Sequence, residues 1–207
     1  MKTALTFLSA IFLTTTLAVA QQAAAADPVE MLRNTERELL GLVYDTPNPD
    51  NKTPVQLFRP VVAKYFDPAG ITRRVIGPAW RGYTPEQRDR ITTLFTDLIL
   101  RSYVENFEPS SRPLITYGKT TTMSDKPPRV KVATVLEYEG KKYNVAYRLE
   151  KTPEGWRIFD IIGEGVSLVG NYQGQFKSLT ARGPDAVIKA LEKNISDFEA
   201  AQKKSAK

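Results

Sequence analysis

At Arg112 the hydrophobic period of this chain changes from 3.6 residues to two. That switch limits the fold to helices and an antiparallel sheet that cover one another. Beyond it, Val130, Val132, Thr134, Leu136 and Tyr138 fall on one face of a strand, with Arg129, Lys131 and Glu137 on the other. Glu139-Gly140 turns the chain. Tyr143, Val145, Tyr147 and Leu149 then alternate with Asn144, Arg148 and Glu150, and Thr152-Pro153-Glu154-Gly155 turns it again. An earlier strand is expected within Leu114 to Met123, and a last one over Trp156–Ile161, where Trp156, Ile158 and Asp160 alternate with Arg157, Phe159 and Ile161. A meander with one apolar and one wet face must be covered by helices. The expected architecture is α+β: a four-stranded antiparallel sheet covered by helices.

The helices announce themselves by their caps. Asp27-Pro28 opens one that runs to about Tyr44, followed by a Pro/Asn/Asp loop over 45–52. Thr53-Pro54-Val55-Gln56 starts a second, to about Tyr65, with a capping box. Asp67-Pro68 starts a short third, ending near Gly77. Thr84-Pro85-Glu86-Gln87 starts the longest, which carries Ile91, Leu94, Phe95, Leu98 and Ile99 at helical spacing. With Tyr103 and Phe107 its apolar face is broad, as deep burial or a ligand wall requires. Gly163-Glu164-Gly165 breaks the last strand before a helix from Ser167 to about Thr180. Gly183-Pro184 separates that from a final amphipathic helix to about Phe198.

Lys2, the apolar run Ala4 to Val19 and the small residues Ala18 and Ala20, or Ala24 to Ala26, have the form of a cleaved export signal. The expected organisation is a signal peptide over 1–26, one α+β domain over 27–200, and a basic tail over 201–207 that frays.

Composition removes much chemistry. The 207 residues include no Cys and no His. Disulfides, thiolate nucleophiles, Ser-His-Asp triads and the commonest transition-metal ligand are all excluded. No cofactor and no metal site is expected. Gly165-Val166-Ser167 has the first half of a nucleophile elbow, but no second Gly stands at Val169, so Ser167 is read as a helix N-cap. Asp160 and Glu164 form a conceivable acid/base pair; the plainer expectation is that Asp160 accepts backbone or Arg bonds at the strand end. The net charge of +6 suits anionic surfaces or acidic proteins. It forms no concentrated stripe, and no nucleic acid partner is expected. Much apolar surface beside two carboxylates, with no catalytic partner, points to holding an apolar ligand rather than transforming one.

Several motifs, taken in order, carry a resemblance. They are Phe66-Asp67 with Thr72-Arg73; Gly77-x-x-Trp80-Arg81; Thr84-Pro85-Glu86-Gln87-Arg88; Arg101-Ser102-Tyr103; and Tyr147-Arg148. Trp156-Arg157-Ile158-Phe159-Asp160, Glu164-Gly165-Val166-Ser167-Leu168, Asn171-Tyr172 and Gln175-Phe176 complete the set. Together they resemble the periplasmic phospholipid shuttle of the Mla (maintenance of lipid asymmetry) pathway, the toluene-tolerance auxiliary family. The sequence departs from the family at Gln173, where Arg is common, and at Gly163, where an apolar residue is usual.

The resemblance implies a non-enzymatic periplasmic carrier whose sheet and helices enclose an apolar lipid pocket. It implies as partners phospholipid, an inner-membrane ABC transporter complex and an outer-membrane lipoprotein–porin complex. On that reading the lipid-binding walls are Leu94, Leu98 and Tyr103 on the long helix, and Val132, Leu136, Val145, Tyr147 and Ile158 on the sheet. Val166, Leu168, Val169 and Phe176 close one end. A carrier of a polycyclic lipid such as a hopanoid, and a lipid-free envelope adaptor, are the alternatives.

Overall fold

The computed structural model describes residues 27–48, 52–104 and 111–205. The expected signal peptide lies outside the described residues. Five helices begin where a side-chain cap demands. Asp27 accepts the Val29 N–H at 2.8 Å and opens α1 (Pro28–Leu40), which continues as a π-helical turn over Gly41–Asp45. The Thr53–Gln56 capping box has both bonds and opens α2 (Pro54–Tyr65). Asp67 accepts the Gly70 N–H at 2.8 Å at the start of α3 (Pro68–Ile76). A 3-10 turn over Gly77–Gly82 leads to the Thr84–Gln87 box and to α4 (Pro85–Val104).

Strands β1 (Leu114–Asp125), β2 (Pro128–Tyr138), β3 (Lys141–Thr152) and β4 (Gly155–Gly163) form the expected antiparallel meander. A fifth strand, β5 (Val166–Ser167), is added at the β4 edge, so the sheet has five strands in sequence order rather than four. Glu164 and Gly165 take positive φ, 46° and 82°, and fold β5 back onto β4. Ser167 then caps α5 (Leu168–Thr180) by accepting the Gly170 N–H at 3.0 Å. The last helix, α6 (Pro184–Ser205), continues past Phe198 into residues placed in the tail. That segment, with its Ala, Gln and Lys, contains no helix breaker.

Two apolar clusters hold these parts. One joins α4 to α3, α5 and α6: Ile91, Leu94, Phe95 and Leu98 pack against Val75, Tyr172, Phe176, Val187 and Leu191. Phe95 meets the Tyr172 ring edge-on, centroids 5.1 Å apart. The other lays α1 across one face of the sheet, with Met31 and Leu32 on Val132, Leu149, Trp156 and Ile158.

The strict alternation expected along β4 is broken. Leu149 pairs with Ile158, yet Arg148 pairs with Asp160, so Phe159 is an extra residue in the ladder. The bulge sends Asp160 to the face opposite Ile158 and brings Ile161 onto the face that α1 covers. At the same point the Ile158 carbonyl accepts the Asp67 N–H at 2.9 Å, and Phe66 bridges Ile158. The α2–α3 corner is thereby fastened to the sheet edge.

Candidate functional site

Between that corner, the β4 edge and the C-terminal half of α4 lies a cavity of about 440 Å³. Phe58, Val62 and Phe66 reach it from α2 at four-residue spacing, so one stripe of that helix faces it. Pro68 and Ile71 come from α3; Phe95, Thr96, Ile99 and Leu100 from α4; Leu39 from the end of α1. Ile158, Asp160, Ile161 and Gly163 line it from β4, Val166 from β5, and Leu168 and Asn171 from α5.

Two of the polar groups on this wall have partners. The Thr96 hydroxyl donates to the Thr92 carbonyl of its own helix at 2.7 Å. Asp160, 2 % exposed, is the one ionisable lining residue among the described residues. Its carboxylate accepts from Arg148 Nη1 at 2.9 Å, Ser167 Oγ at 2.7 Å and the Val169 N–H at 3.0 Å. It therefore ties the β3–β4 ladder to the N-terminus of α5, where a negative charge is favoured. The arrangement can surround hydrocarbon. Among the described residues no cluster of acidic groups could hold a metal.

The residues expected to wall a pocket divide three ways. Ile158, Val166 and Leu168 line the cavity. Leu94, Leu98 and Phe176 are buried in the helical cluster, with Val169 packed against it, and Val132 and Tyr147 belong to the sheet cluster. Leu136 lies on the same sheet face as Val132 but away from the cavity, as does Val145. The Tyr103 side chain lies outside the described residues. The lining residues of α2 and α3, those of α4 and Ile161 were missed. The apolar run Leu98-Ile99-Leu100 was their available signal on α4, being wider than one packed face needs. The stripe Phe58, Val62, Phe66 was the signal on α2. Ile161 had none, because the bulge that turns it inward leaves no mark in the alternation.

Burial, reinforced by the Glu36 carboxylate, pushes the Tyr147 phenol up to about 12. Its unfolded value is about 10. The neutral phenol thus contributes stability that is complete below about pH 10 and is lost as pH rises toward the folded value. Tyr147→Phe is expected to flatten the fall in melting temperature between about pH 9 and 11.5. Parallel curves for the two proteins would remove Tyr147 from that role.

A family model, that of the MlaC protein, matches residues 37–193. The chain belongs to the MlaC family. The family is one of lipid-binding carriers, not of enzymes. A solved structure, the phospholipid-binding protein from Ralstonia solanacearum in complex with a phospholipid, is similar to this MlaC-family chain with a TM-score of 0.75. The match covers 84% of this chain and 99% of that one at 23% identity, a likeness of fold. No curated protein matches the chain. The family resemblance also has a local basis. Phe66-Asp67, Arg148, Asp160 and Ser167 are the residues that fasten the cavity's corner and rim. Among the described residues no helix is long and apolar enough to cross a membrane.

Proposed function

We propose that this protein carries phospholipid through the periplasm, between the outer and inner membranes, by burying acyl chain in the cavity between α2, α4 and the β4 edge. The observation behind this reading is the wall itself: predominantly hydrocarbon, its polar residues being Thr96, Asn171 and a carboxylate already held by three donors. Ile158, Val166 and Leu168 contact the ligand on this reading, together with Val62, Ile99 and Ile161. Leu94, Leu98, Val132, Tyr147, Val169 and Phe176 act behind them as the packed layer that sets the wall's position, and Leu136 and Val145 have no part in it.

Each methylene removed from water is worth about 0.8 kcal/mol, so two long tails represent on the order of 25 kcal/mol. A lipid crosses an aqueous compartment at a useful rate only with that surface covered. Because tails leave one apolar phase for another, binding need not greatly exceed the affinity of a bilayer. Exchange is then nearly neutral, and direction comes from the proteins at either end, an inner-membrane ABC transporter complex and an outer-membrane lipoprotein–porin complex. The family and the phospholipid held by the Ralstonia protein support the ligand class.

Native mass spectrometry of the freshly purified protein, followed by mass analysis of what it releases, tests the reading. Bound phospholipid is expected, and stripping it should lower the melting temperature, since a ligand held only by the folded state stabilises it. A bound triterpenoid would replace the ligand class. A lipid-free mass with no uptake from liposomes would overturn the carrier function.

A further inference from the structure

The sheet face turned away from α1 carries two features that share only Asp160 with the lining of the lipid cavity. Cross-strand register sets its side chains in rows. Arg129 stands beside Glu150 and Glu150 beside Arg157; in the next row stand Lys131, Arg148 and Asp160. Four cations there share two carboxylates, and both carboxylates are engaged. Glu150 accepts from Arg129 Nε at 2.6 Å and from Arg74 of α3 at 2.9 Å, and Asp160 holds Arg148. Positive charge is left over.

The following rows change character. Ala133 lies beside Ala146 and Ala146 beside Ile162, with Val135 next in line. Small side chains leave a hollow of about 250 Å³, lined by strand residues and Gly165, to which no helix contributes. Gly118 of β1 lets the strands close tightly under it: a Cβ there would lie 3.3 Å from the Ala133 carbonyl oxygen. The hollow shares no lining residue with the lipid cavity.

We propose that this face docks a protein segment in which acidic side chains flank one protruding apolar residue. The cation excess matches the carboxylates and sets register and encounter rate. The hollow takes the apolar residue as an anchor in a pocket that excludes water. Its recession favours a protein segment over an anionic membrane. A flat headgroup layer meets the cations at the rim but does not reach a floor of Ala and Gly.

The test titrates the whole, isotope-labelled chain with a synthetic peptide of one Leu flanked by Glu residues, followed by amide chemical shifts. A peptide with Lys for Glu and vesicles containing phosphatidylglycerol are run in parallel. Shifts are expected at Ala133, Ala146 and Ile162 with the Glu peptide alone, and they should weaken as salt screens the charges. Lys131→Glu with Arg157→Glu should raise Kd about tenfold or more, and Ala146→Trp, which fills the hollow, should abolish the shifts. Retained spectral dispersion in each variant confirms that it folds. Equal shifts with the Lys peptide, shifts elsewhere, or none at all would overturn the proposal. Shifts with vesicles but not peptide would assign the face to membrane instead.

Discussion

Val62→Trp is expected to empty the protein of lipid while leaving it folded. Val62 is half-buried, faces the cavity from α2, and belongs to neither packed cluster. A larger ring there extends into open space instead of forcing neighbours off their rotamers. Lipid retained after purification, read by native mass spectrometry, should fall about tenfold or more, equivalent to about 1.4 kcal/mol of lost binding. Leu98→Ala provides the contrast. Leu98 is 7% exposed inside the helical cluster and lies outside the cavity lining. Its truncation should lower stability by roughly 2–5 kcal/mol, with lipid occupancy kept at low temperature. If Val62→Trp retained lipid as fully as the parent, the cavity would not be the ligand site.

Asp160→Ala is expected to be the most damaging single change at the cavity rim. It removes the acceptor of three hydrogen bonds and leaves Arg148 beside Lys131 without its anion. Breaking a buried pair costs about 3–5 kcal/mol; Arg148 is 34% exposed, so the lower end applies. For a domain of this size about 3 kcal/mol corresponds to a fall in melting temperature of roughly 6–12 °C. Ser167→Ala, which removes a helix cap and one of the three donors, should cost about 1 kcal/mol. Urea denaturation of both variants measures this. A loss below about 1 kcal/mol for Asp160→Ala would mean that solvent replaces the carboxylate and that the rim does not depend on it.

Much of this architecture is written locally. The caps at Asp27, Thr53, Asp67, Thr84 and Ser167 start their helices at the expected residues, because a cap is a bond between neighbours two or three residues apart. The meander follows from alternation in β2 and β3, which have few breaks to obscure it. That Asp160 accepts from an arginine or the backbone was legible on another ground: a lone carboxylate among apolar residues must find donors, although which arginine it meets was not.

The cavity wall was legible only in part. Apolar periodicity marks Leu94 and Leu98 and marks Ile99 and Leu100 just as strongly, and it does not say which strip meets another helix and which meets space. That choice was made by α3, α5 and α6, which pack on one side of α4, and by the Asp67–Ile158 bond, which fastens the α2–α3 corner to the sheet edge beside the cavity. The bulge at Phe159 then put Ile161 on the sheet face that α1 covers and Asp160 on the opposite one, a shift of one residue that reverses every face beyond it. The sequence by itself determined the elements, their order and the lack of thiol and imidazole groups, because these depend on residue types and near neighbours. The tertiary structure alone decided where the elements fail to meet. A cavity is contact withheld between residues far apart in the chain, and no local pattern records that.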